Sequence, residues 1–154
     1  MANNYTLFST IVNGLTKREQ AWLLKMAELR IQLETDTVLS ESNLKKIEEV
    51  WGAVDEMDFG MCNMVVDTSI KEPNVGFYSD DSSNPWVLAQ LMRAFFKKFR
   101  GGEGLFRLCW ADTCSKPRYD EFGGGTVVVL NDKIYFYTTD QIADMILANK
   151  GGIR

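Results

Sequence analysis

Residues 84–110 read NPWVLAQLMRAFFKKFRGGEGLFRLCW, and the change of period inside this run decides the fold class. Asn84 supplies a capping side chain, and Pro85 stands where the first helical turn tolerates a missing N–H. Val87, Leu88, Leu91, Met92, Phe95 and Phe99 then recur at helical spacing and predict one apolar face. Gln90, Arg93, Lys97 and Arg100 fall on the opposite side, and Gly101-Gly102 ends the helix. Beyond the glycines, Phe106, Leu108 and Trp110 alternate with Arg107 and Cys109, which predicts a half-buried strand over 105–111.

Period-two patterns flank this run on both sides. Upstream, Cys62, Met64 and Val66 alternate with Asn63, Val65 and Asp67. Val75, Phe77 and Ser79 repeat the pattern after the turn residues Lys71-Glu72-Pro73-Asn74, so a hairpin is expected. Downstream, Val127–Leu130 leads into Asn131-Asp132, a fitting two-residue turn, and Ile134, Phe136 and Thr138 alternate out of it. Thr139 or Asp140 caps a last helix carrying Ile142, Met145 and Ile146. Residues 112–125 show no hydrophobic periodicity and are expected to form a loop.

The first sixty residues read as helical. Leu7, Phe8, Ile11, Val12 and Leu15 recur at helical spacing and Asn13-Gly14 supplies a stop. Thr16-Lys17-Arg18-Glu19 has the form of a capping box, followed by a stripe of Trp22, Met26, Leu29 and Leu33. Ser40 caps again before Leu44, Ile47, Trp51 and Val54. The expected fold is therefore α+β: a mostly antiparallel sheet with helices packed on one face, preceded by an N-terminal helical hairpin. One domain spans 1–154, with a helical part over 5–58 and an α+β part over 61–149. If the strands on either side of the 85–99 helix are parallel neighbours, their crossover is right-handed.

Composition narrows the chemistry. The 154 residues are 45% hydrophobic, carry a net charge of −4 and contain no histidine. That removes Ser-His and Cys-His nucleophile schemes and the commonest metal ligand. Cys62, Cys109 and Cys114 are an odd number without close pairs, expected as thiols in a reducing compartment. No run approaches the ~20 apolar residues of a membrane span, and the first residues lack a signal-peptide pattern, so a cytoplasmic location is expected. No catalytic residue, no metal site and no cofactor is assigned, and the expectation leans away from an enzyme.

Charge is unevenly spread. Arg93, Lys97, Lys98, Arg100, Arg107, Lys116 and Arg118 face only Glu103 and Asp112 between residues 86 and 118. Ser115, Lys116 and Arg118, followed by Gly123, Gly124 and Gly125, place hydroxyl, cations and glycine backbone in one segment. Such a segment suits a phosphate or carboxylate, or a partner surface. The plain alternative is a turn with solvated cations. Arg93, Lys97 and Arg100, joined to Arg107, suggest a basic surface over 93–118 for nucleic acid, which the acidic whole disfavours. Asp80-Asp81 reads as capping and turn chemistry rather than a cation site.

Three elements, Lys97-Lys98-Phe99-Arg100, Thr113-Cys114-Ser115-Lys116-Pro117-Arg118 and Glu121-Phe122-Gly123-Gly124-Gly125, resemble a family of small phage, plasmid and bacterial proteins over about residues 75–135. The resemblance implies a setting and not a reaction. By analogy of setting, small acidic proteins of mobile elements often work by binding a host protein or complex, as inhibitors of defence systems do. The leading expectation is a non-enzymatic protein-binding factor that modulates a host process, its partner a host or mobile-element protein. The alternatives are a nucleotide-phosphate or other small-molecule binder using residues 113–125, and a nucleic-acid binder using 93–118.

Overall fold

The computed structural model describes residues 3–116 and 122–149. Its elements are β1 (Asn4–Val12), α1 (Lys17–Glu34), α2 (Glu41–Trp51), β2 (Asn63–Val65), β3 (Val75–Ser79), α3 (Pro85–Phe99), β4 (Leu105–Cys114), β5 (Gly123–Leu130), β6 (Lys133–Thr138) and α4 (Thr139–Ala148). Among the described residues the chain is α+β, with a six-stranded antiparallel sheet in the order β2-β3-β1-β4-β5-β6.

The expected N-terminal helical hairpin over 5–58 is overturned, because the first helix follows a strand. β1 lies in the middle of the sheet. Its Asn4–Leu7 half pairs with Cys114–Ala111 of β4, and its Phe8–Val12 half pairs with Ser79–Val75 of β3. The reason for the misreading is local. Phe8 and Val12 face the helices while Leu7 and Ile11 face away, so a strand apolar on both faces mimics helical spacing. Tyr5, Thr6, Thr10, Ile11 and Val12 are the β-branched and aromatic residues that favour a pleated strand. Gly14, at φ 67°, turns the chain, and Thr16 then caps α1 by accepting the Glu19 N–H at 3.1 Å.

β1 also separates β3 from β4. Being antiparallel to both, it leaves them parallel but not neighbours, so the chain crosses over β1 through α3.

The helices α1, α2 and α3 cover one face. Leu23, Met26 and Leu29 of α1, Ile47 and Trp51 of α2, and Leu88, Leu91 and Phe95 of α3 are buried. They share one core with Phe8, Phe77, Phe106, Leu108, Val127 and Val129 from the strands. The Trp51 indole N–H donates to the Val87 carbonyl at 2.9 Å, tying α2 to α3. Arg30 is fully buried inside this layer. Its guanidinium pairs with Glu34 at 3.1 Å, donates to the Asp58 carbonyl, and lies over the rings of Trp51 and Phe59. Glu34 in turn accepts the N–H groups of Gly60 at 2.7 Å and Met61 at 2.9 Å. α4 differs from the others: it touches β5 and β6 and buries none of its residues.

The segment 112–125 is shorter as a loop than expected, since β4 continues to Cys114 and β5 begins at Gly123. Apolar alternation could not reveal this, because glycines replace side chains opposite Trp110. The Trp110 indole occupies the space beside Gly125 and stacks on Phe136 at 4.7 Å. Gly124, at φ 156°, brings its backbone against the Trp110 carbonyl, where a Cβ would collide. Gly125→Ala should therefore cost about 1–3 kcal/mol through overpacking. Gly123→Ala, whose Cβ would meet only the Thr139 hydroxyl at 3.4 Å, should cost less. Urea midpoints of the two variants compared with the parent check this.

Candidate functional site

An antiparallel sheet covered by helices on one face presents every second side chain on the other. Alternation points Tyr5, Leu7, Ser9 and Ile11 of β1 away from the helices, with Asn63 and Val65 of β2 and Tyr78 of β3 beside them. From β4 come Leu105, Arg107, Cys109, Ala111 and Thr113. They pair across to Leu130, Val128, Thr126 and Gly124 of β5, and β6 adds Lys133, Tyr135 and Tyr137. Ile11, Val65, Leu105 and Leu130 are exposed, and Tyr78, Tyr135 and Tyr137 remain 38%, 42% and 38% accessible.

Two properties set this surface apart. Four of the five tyrosines of the chain stand on it, and none of its outward strand residues is a carboxylate. Its cations are Arg107 and Lys133, in a molecule whose net charge is −4. Arg107 lies opposite Val128 on the neighbouring strand, and Cys109 stands two residues along, its sulfur 3.6 Å from the Thr126 hydroxyl. No disulfide joins the cysteines. Cys62 is the inert one of the three, since burial pushes its thiol up to about 12.

The sequence-derived candidates divide between two sides of the sheet. Arg107 is on the open face. Arg93 and Lys97 belong to α3, whose opposite side packs into the core, and Arg100 caps its C-terminus, where it borders the same cavity as Arg107. Arg100 is engaged structurally: its guanidinium donates to the Glu19 carboxylate at 2.6 and 3.2 Å and lies over the Phe95 ring. Ser115 and Lys116 are exposed just past β4, where the Ser115 N–H donates to the Asn3 carbonyl at 2.8 Å. Arg118 lies outside the described residues. Gly123, Gly124 and Gly125 are strand residues, the last two packed against Trp110.

A cavity of about 480 Å³ lies at the end of the sheet where the expected anion loop begins. Its described walls hold the carboxylates Asp112 and Asp140 and no cation. Asp112 is already satisfied, accepting from the Thr6 hydroxyl at 2.9 Å and the Trp110 indole at 3.3 Å. Among the described residues no group of three or more cysteine or carboxylate side chains is placed to hold a metal ion. No described helix is long and apolar enough to cross a membrane.

The tyrosines were the residues that sequence reasoning missed. Their signal was present: Tyr135 and Tyr137 occupy the outward phase of the 133–138 alternation, where a solvent-facing strand ordinarily carries charge. Compared with protein-family models, curated proteins and solved structures, the chain matches none.

The pairing of Arg100 with Glu19 yields a pH-dependent expectation. Burial raises the Glu19 carboxyl, but hydrogen bonds from Arg100 and Thr16 outweigh it and hold the group below its usual value. A depressed carboxylate contributes stability above its unfolded pKa and loses it as pH falls through the folded one. Arg100→Gln should thus cost up to about 1 kcal/mol at pH 7. The difference from the parent should vanish on acidification below about pH 4. Denaturant titrations at pH 7, 5 and 3 read it directly.

Proposed function

We propose that the protein is a non-enzymatic binding module that recognises another protein through the uncovered sheet face. The observation that carries this reading is a strand-built surface with four tyrosines, exposed aliphatic residues, two cations and no carboxylate. Protein interface cores are enriched in tyrosine and arginine and depleted of charge in just this way. Exposed aromatic and aliphatic side chains gathered on one sheet face, among polar neighbours, suit an interaction surface.

Charge points to the kind of partner. Arg107 and Lys133 favour a surface whose centre is apolar or hydrogen-bonding and whose rim is acidic, which would speed encounter and fix register. A nucleic-acid strand is the weaker fit, because backbone neutralisation needs a track of cations and this face has two. The resemblance to small phage and plasmid proteins supports a host or mobile-element protein as that partner, in a role that modulates a host process.

The test is capture of the partner on the parent protein, followed by affinity measurement with the purified partner. Tyr135→Ala combined with Arg107→Glu should weaken binding by about a hundredfold, the sum of two interface anchors. The melting temperature should stay within a few degrees, because both side chains are solvent-facing. N-Ethylmaleimide labelling of Cys109 should slow in the complex while Cys62 stays unlabelled throughout. Full binding by the double variant, or affinity for single-stranded DNA or RNA that exceeds that for any protein, would sink the reading.

A further inference from the structure

On the opposite side of the molecule, the three core helices enclose a second surface feature. A groove of about 550 Å³ opens between α1, α2 and α3. Its floor is apolar, formed by Met26, Val50 and Ala94, with Trp22 along one wall. Four lysines stand around it: Lys25 from α1, Lys46 from α2, and Lys97 and Lys98 from α3. Glu49 is the single carboxylate among the lining residues.

This convergence is unfavourable on its own terms. Like charges from three helices are brought to one rim, and among the described residues none of the four amines makes an ion pair. Lys98 alone has a neighbour for its charge, the Phe99 ring at 5.7 Å. Glu49, the one carboxylate of the lining, makes no ion pair among the described residues, while Glu19 and Glu34 are engaged with Arg100 and Arg30. Clefts lined by one sign of charge over low-dielectric walls concentrate ligands of the other sign.

We infer that this groove is a binding site for a small phosphorylated compound carrying an aromatic ring, of the nucleotide class. Volume, charge and floor each select that chemistry. The groove lies in the range of small-ligand pockets, of order 300–1,000 Å³. Ammonium groups on flexible stems suit phosphate as movable point charges. The apolar floor and the indole offer contact to a ring that inorganic phosphate would leave unused. The site is independent of the sheet face, so its occupancy and partner binding can be tested apart.

The probe is ATP, titrated calorimetrically into the full chain at low salt, with adenosine and tripolyphosphate as separate arms. The expected result is saturable one-to-one binding of ATP, tighter than either arm by about tenfold or more. Lys46→Ala and Lys97→Ala should each weaken it severalfold, and Arg107→Glu on the sheet face should leave it unchanged. As a readout free of mutation, ATP should slow acetylation of Lys25, Lys46, Lys97 and Lys98 relative to Lys71 in the parent protein. Absence of saturable binding would overturn the assignment. So would tripolyphosphate binding as tightly as ATP, or protection that fails to distinguish the four lysines from Lys71.

Discussion

Backbone pairing along β1 joins the two halves of the sheet. β2 and β3 form one half, β4, β5 and β6 the other, and β1 reaches β4 with its first four residues and β3 with the next five. Everything else is built on that join. The helices pack over both halves because Phe8 of β1 joins Phe77 of β3 and Phe106 of β4 in one shared core. The outward face is continuous for the same reason, since Tyr5, Leu7 and Ile11 fill the middle of it. A change that unpairs β1 would divide the core and the recognition surface together.

The run from Asn84 to Trp110 was legible because its local signals agree: a cap, a proline, one apolar phase, two glycines, then alternation. The same consistency made the Asn131-Asp132 hairpin readable, and Asn131 duly takes a positive φ of 58°. β1 was opaque because a central strand has no polar phase to betray its period. Residues 112–125 were opaque because the pattern there is written in absences, with glycines where Trp110 needs room. Local sequence could not show that Arg100 is spoken for, because Glu19 reaches it from another helix. Nor could it show that Lys25 and Lys46 join Lys97 and Lys98. Arg107 was placed correctly relative to Phe106 and Leu108 by alternation alone. What the alternation implied for the tyrosines was in the sequence and went unread.

Charge in this protein does two kinds of work. Inside, Arg30 and Glu34 hold the connection between α2 and β2 against α1, trading desolvation for several hydrogen bonds and two ring contacts. Burial lowers the Arg30 pKa, and the Glu34 and Asp58 charges oppose that shift. Such a pair fixes one arrangement of a segment that has little regular structure of its own. Outside, cations that form no ion pair among the described residues mark both broad surfaces, Arg107 and Lys133 on the strands and four lysines on the helices.

α4 stands apart from this economy. It is ten residues long, buries none of them, and leaves Met145, Ile146 and Leu147 in water. An isolated helix of that length is marginal, so the capping box at Thr138 and Gln141 and slight contact with β5 and β6 must sustain it. Its amides therefore exchange with solvent through local opening that leaves the sheet intact, whereas those of β4 and β5 wait for global unfolding. Deuterium uptake along the sequence would separate the two as a fast-exchanging C-terminal stretch beside a slow core.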